Sequence, residues 1–108
     1  MANWQNVTPE ALLEGLGNGR IEPIQIIDVR EPFEWDYYHL EGSIPIPMNT
    51  IPSRLGELDD SKTIYVICAH GVRSVAVCDF LDERGYGGIR NVEGGIAAVA
   101  SLKGFAYD

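Results

Sequence analysis

Thr63-Ile64-Tyr65-Val66-Ile67-Cys68-Ala69-His70-Gly71-Val72-Arg73-Ser74 is the stretch whose reading decides the fold. Its first five residues are all strand formers, which predicts a strand over 63–67 that runs directly into Cys68. From Ser74 to Arg84 the apolar residues Val77, Phe80 and Leu81 return at helical spacing, and Gly85 supplies the stop. A strand, a tight six-residue loop and a helix therefore follow one another.

The alternation continues on both sides. Thr8-Pro9-Glu10 reads as an N-cap, a proline at the first helical position and an acid in the first turn. That short helix runs through Leu13, with Gly15 and Gly17 closing it. Ile24 to Val29 is a mostly apolar, β-branched run, as expected of a buried strand. Glu31-Pro32 opens a short helix to about Trp35 or Tyr37. Gly42 to Pro47 can form only a short or edge strand, because prolines donate no ladder hydrogen bond. A brief helix is expected near Ile51 to Leu58, a last strand over Ile89 to Val92, and a small-residue helix over Ile96 to Leu102 after Gly94-Gly95. Strands alternating with helices predict an α/β fold with an open, mainly parallel sheet covered on both faces.

No repeat or linker divides the chain, and 108 residues with 45% hydrophobic and 22% charged content fit one domain over residues 1–108. Sixteen carboxylates against eight Lys and Arg give a net charge of −8, and the cations are scattered. Nucleic-acid and acidic-membrane partners are disfavoured, since both need clustered cations. No run of 18 apolar residues occurs, and Met1 to Asn6 lacks the cationic and apolar segments of a secretory signal. A cytoplasmic location is the expectation. Two cysteines are too few for a disulfide framework or a four-cysteine zinc site, and no metal is expected.

In open parallel sheets, active sites collect at the carboxyl ends of strands, which is where Cys68 falls. A loop this tight can turn its amides inward around the cysteine sulfur, with Gly71 permitting backbone geometry closed to other residues. Inward amides, the positive end of the following helix and the Arg73 guanidinium would all favour a thiolate, the nucleophilic form of cysteine. The plainer alternative makes Cys68 a small core residue, but it does not call for Gly71, Arg73 and Ser74 at these spacings.

Asp28 and Arg30 end the preceding strand on the same sheet edge, and are read as support for the site or as a structural ion-pair system such as Arg30 with Glu34. The His70 side chain is expected to face solvent, because a loop that turns amides inward turns side chains outward. Cys78 follows the apolar stripe of its helix and reads as core. Trp4, Trp35, Tyr37 and Tyr38 read as core or rim aromatics, the last three able to line a docking face beside the site.

Four segments together resemble the single-domain rhodanese (thiosulfate sulfurtransferase) family: Ile27 to Glu34, His39 to Ile44, Cys68 to Ser74, and Val92 to Ile96. They stand in the family's order and cover nearly the whole chain. The resemblance implies a five-stranded sheet and transfer of sulfane sulfur through a Cys68 persulfide held by the loop Ala69, His70, Gly71, Val72, Arg73 and Ser74. It implies a small sulfur donor such as thiosulfate, an acceptor that is cyanide or a small or protein thiol, and no organic cofactor. His39 resembles the motif histidine and is expected to tie a turn together. Two departures stand out. Ala69 replaces the basic residue common in thiosulfate-using members, which weakens thiosulfate as the physiological donor, and Val99 stands where a tryptophan is frequent. Two other readings remain: a non-catalytic adaptor on the same fold, and a phosphatase or arsenate reductase. The latter resembles a pattern with five residues between cysteine and arginine, whereas four separate Cys68 from Arg73.

Overall fold

The computed structural model describes residues 3–107; Met1, Ala2 and Asp108, the ends of the expected domain, lie outside them. In chain order the elements are β1 (Gln5–Val7), α1 (Pro9–Gly17), β2 (Ile26–Asp28), α2 (Pro32–Tyr37), β3 (Ile44–Pro45), β4 (Ile64–Ile67), α3 (Arg73–Glu83), β5 (Ile89–Val92) and α4 (Gly95–Leu102). Five strands form one sheet in the order β1-β5-β4-β2-β3, and every neighbouring pair is parallel. The α/β expectation holds, and Cys68 leaves the central strand.

Several local features differ from the sequence reading, among them the strand expected over Ile24 to Val29, which is Ile26–Asp28 preceded by a 3-10 turn at Pro23–Gln25. β1 adds a strand that the residue pattern did not suggest, pairing Asn6 with Asn91 in register. The helix expected near 51–58 is instead a pair of 3-10 turns, Met48–Ser53 and Leu55–Glu57. Pro52 lies inside the first and has no N–H for an α-helical ladder. α1 continues through Gly15 to Gly17, because the bare Cα of Gly15 is where the Ile21 side chain packs. Thr8 caps the helix as expected, its hydroxyl accepting from the Ala11 N–H at 3.1 Å.

Side chains of β4 alternate between two apolar layers, as strand geometry requires. Ile64, Val66 and Cys68 join Val77, Cys78 and Leu81 of α3 on one face, while Ile67 packs with Leu12 of α1 and with Ile96 and Val99 of α4 on the other. Cys68 is therefore presented toward α3. On β5, Asn91 aligns with Val66 of β4. Among the described residues no helix is long and apolar enough to cross a membrane.

Candidate functional site

β4 and α3 meet at the Cys68–Ser74 loop, which closes on the cysteine sulfur. The Gly71 N–H donates to Cys68 Sγ at 3.1 Å and the Ser74 N–H, in the first turn of α3, donates at 3.3 Å. The Cys68 thiol donates to Ser74 Oγ at 3.3 Å. Gly71 makes this turn with φ of 87°, and a Cβ there would press on the Gly94 backbone at 3.0 Å.

The loop is clamped from the far side by α4. Ile96 N–H donates to the Cys68 carbonyl at 2.8 Å and Ala97 N–H to the Ala69 carbonyl at 3.0 Å. A Cβ on Gly95, which has φ of 59°, would run into both carbonyls. Gly94-Gly95, a separator by residue pattern and part of the family-like segment Val92 to Ile96, is thus what lets the helix approach the cysteine loop. With its carbonyls bound behind it, the loop leaves its amides for sulfur.

Cys68 is 1% exposed, and burial pushes its thiol up. The hydrogen bond it shares with the Ser74 side chain and those from the Ser74, His70 and Gly71 N–H groups outweigh that, so the Cys68 pKa lies below the ordinary thiol value. Cys78 shows the opposite. Buried in the core with no such donors, its thiol is pushed up to about 12, mainly by burial and further by Asp79 and Cys68. The two cysteines are free.

The Arg73 guanidinium, expected to favour negative charge on the sulfur, acts on it only through its charge and makes no hydrogen bond to it. Its Nη1 and Nη2 donate to Glu34 Oε1 and Oε2, each at 2.8 Å, because a carboxylate on α2 offers a bidentate match that a sulfur cannot. The hydrogen bonds from Arg73 lower the Glu34 pKa to about 2 against partial burial, helped by the Glu31 N–H. Arg73 ties the loop to α2.

Asp28 and Arg30 are buried beneath the site and do not touch the sulfur. Arg30 Nε and Nη2 donate to the two Asp28 oxygens at 2.8 and 2.7 Å. Its remaining N–H groups reach the Glu34 and Tyr38 carbonyls and the Tyr107 hydroxyl. The ion-pair partner of Arg30 is Asp28, since the Glu34 carboxylate is committed to Arg73. Arg30 pins β2, α2 and the C-terminal segment together. His39 Nδ1 lies 2.8 Å from the Trp35 carbonyl and its ring stacks on Trp35 at 3.8 Å, tying the end of α2.

The His70 side chain is exposed, its ring edge-on to Tyr107. Ala69 and His70, with Phe33, Glu34, Tyr37, Arg73 and Tyr107, line a cavity of about 650 Å³ over the loop. Its one arginine is neutralised by Glu34. Tyr37 takes the rim position expected of it, while Tyr38 stacks on Phe105 and the Trp4 indole N–H donates to Asp79. Val72 projects to solvent beside the loop. Among the described residues no cluster of His, Cys, Asp and Glu could hold a metal ion.

Sequence reasoning passed over Asn91 and Tyr107. Asn91 is 3% exposed, and its Oδ1 accepts a short hydrogen bond from the Ser74 hydroxyl. An asparagine inside the apolar run Ile89 to Val92 was a visible signal, because a buried amide must find partners.

Residues 8–102 match the rhodanese-like domain family. A sulfurtransferase of Allochromatium vinosum is 33% identical over 79 residues, covering 73% of this chain and 74% of the relative. "Probable adenylyltransferase/sulfurtransferase MoeZ" of Mycobacterium tuberculosis is 35% identical over 101 residues, 92% of this chain. The chain spans only 25% of that relative's length. Among solved structures, a rhodanese-related protein of Thermoplasma volcanium superposes with a TM-score of 0.80 at 33% identity, covering 92% of this chain and 93% of the other.

Proposed function

Since the chain belongs to the rhodanese-like domain family, we propose that it is a sulfurtransferase that carries sulfane sulfur on Cys68. The observation that carries the proposal is the convergence of the Gly71 and Ser74 N–H groups on one buried sulfur at the end of the central strand. These donors favour a thiolate and suit the persulfide anion that follows it.

With thiosulfate as donor, the Cys68 thiolate attacks the outer sulfur. A new S–S bond forms, the sulfur–sulfur bond of thiosulfate breaks, and sulfite leaves with the electron pair. An acceptor thiolate or cyanide then attacks the outer sulfur of the persulfide. The bond to Cys68 breaks, the Cys68 thiolate returns, and the product is a new persulfide or thiocyanate. No electrons enter from outside, so neither metal nor organic cofactor is needed for the balance.

The cavity above the loop favours a thiol as physiological acceptor. Its arginine is paired with Glu34, and Phe33 and Tyr37 give it apolar walls. Among the described residues a dianionic donor finds no free arginine there. An adaptor would have no use for a loop that lowers the pKa of a buried thiol.

The test is incubation with thiosulfate or an organic persulfide, followed by intact-protein mass spectrometry. Wild type should gain one or more sulfur atoms and Cys68→Ala none; addition of reduced glutathione or thioredoxin should then discharge the loaded protein at least as readily as cyanide. Failure to load from any sulfane donor would replace this proposal with the adaptor.

A further inference from the structure

Behind the cysteine, away from the cavity, runs a line of hydrogen bonds that sulfur transfer does not itself require. The Cys68 thiol donates to Ser74 Oγ, the Ser74 hydroxyl donates to Asn91 Oδ1, and Asn91 Nδ2 donates to Asn6 Oδ1 at 3.0 Å. Ser74 and Asn91 are buried, and Asn6 is exposed on β1, directly across the ladder from Asn91. Every donor in the line points from the sulfur toward the surface.

That polarity suits a thiol and not an anion. Ser74 has one hydroxyl proton, and it is committed to Asn91 while the thiol supplies its own. Once the thiol proton leaves to a solvent base, the sulfur becomes an acceptor only, and the Ser74 hydroxyl can serve it only by releasing Asn91 Oδ1. A buried carbonyl oxygen left without a donor is costly. A half-turn of the Asn91 amide resolves the conflict, because Nδ2 then donates to Ser74 Oγ and the hydroxyl turns to sulfur. Oδ1 then faces Asn6, whose amide can turn at the surface to present its own N–H groups.

We propose that Asn91 is a positioning residue for Cys68, and that Asn91 and Asn6 reverse the hydrogen-bond line through Ser74 as the sulfur gains and loses charge. No proton travels along the line; each hydroxyl and amide keeps its own and only turns. The inference rests on Cys68 being the working nucleophile, as the proposed function has it. Other titratable or charged groups near the sulfur do not enter the line. Arg73 is held by Glu34, Asp28 by Arg30, His70 turns its ring outward, and Cys78 sits in the core.

The exposed end gives the cleanest test. Asn6→Asp places an acceptor without donors at the surface, which holds Asn91 Nδ2 outward and Oδ1 on Ser74, locking the line in its thiol polarity. Asn6→Ala leaves that position to water, which donates or accepts. The readout is the rate of Cys68 alkylation by iodoacetamide across pH, which follows the thiolate fraction and needs no sulfur donor. Asn6→Asp should slow alkylation below the midpoint by about threefold to tenfold, equivalent to a rise of up to about one pH unit in that midpoint. Asn6→Ala should stay within about twofold of wild type. In a Ser74→Ala background the Asn6→Asp effect should vanish, which separates the line from simple repulsion by the new charge. Asn91→Asp, where it folds, should slow alkylation about tenfold.

Equal rates for Asn6→Asp and Asn6→Ala, or an Asn6→Asp effect that persists without Ser74, would overturn the proposal. A protein that shows the predicted alkylation pattern yet never loads sulfur would refute the sulfurtransferase reading and leave the relay standing.

Discussion

Replacing Glu34 by glutamine isolates what the loop-to-helix ion pair contributes. The substituted amide keeps an oxygen for the Glu31 N–H, which Glu34 Oε1 accepts at 2.9 Å, so the helix cap survives while the charge goes. The Glu34 pKa falls from 4.5 to about 2, chiefly through Arg73. Taken whole, that drop corresponds to about 3 kcal/mol of stability. Arg73 is 36% exposed and its partner 14%, so solvent screening reduces the figure to about 1–2 kcal/mol. The sign follows from the direction of the change. A carboxyl whose folded pKa is depressed stabilises the fold above its unfolded value, and the contribution is lost as pH falls through the folded value. Wild type should therefore exceed Glu34→Gln by about 1–2 kcal/mol near neutral pH. The gap should narrow between about 4.5 and 2 and close below that. Urea unfolding of both proteins at stepped pH measures it, since the other carboxylates are common to both and cancel. A gap that stays constant down to pH 2 would show that Arg73 and Glu34 are not coupled as described.

Gly95→Ala should destabilise the fold by about 2–4 kcal/mol and slow Cys68 alkylation, because its methyl displaces the Cys68 and Ala69 carbonyls; an unchanged urea midpoint would contradict the clamp. Arg30→Met strands the buried Asp28 charge and should cost about 3–5 kcal/mol, with much of the loss recovered when Asp28→Leu is added. Iodoacetamide should label Cys68 alone in the native protein at mildly alkaline pH, with Cys78 reacting only on unfolding; equal labelling would mean an open core.

The parts of the molecule legible in the sequence are those whose cause is local. Ile64 to Ile67 is an unbroken run of strand formers, and the helix after the loop announces itself by its own spacing. β1 carries no such mark. Gln5 and Asn6 are polar, the strand is three residues long, and it exists because β5 offers it an edge to pair with. Glu34 stands four residues after Arg30, the spacing of a local ion pair, yet its carboxylate goes to Arg73, 39 residues away. The choice depends on Asp28 having already taken Arg30 from beneath, and nothing along the chain ranks those pairings.

The cysteine loop is local in its residues but not in what shapes it. Cys68, Gly71 and Ser74 are neighbours in sequence, and the amides that meet the sulfur belong to that one segment. What frees those amides is not local. The loop's first two carbonyls are bound by Ile96 and Ala97, which arrive from the other end of the chain through two glycines with positive φ. The Ser74 hydroxyl, in turn, is directed by an asparagine on β5 that is steadied by one on β1. The central strand places Cys68, and the flanking strand and α4 determine which of its neighbours face it.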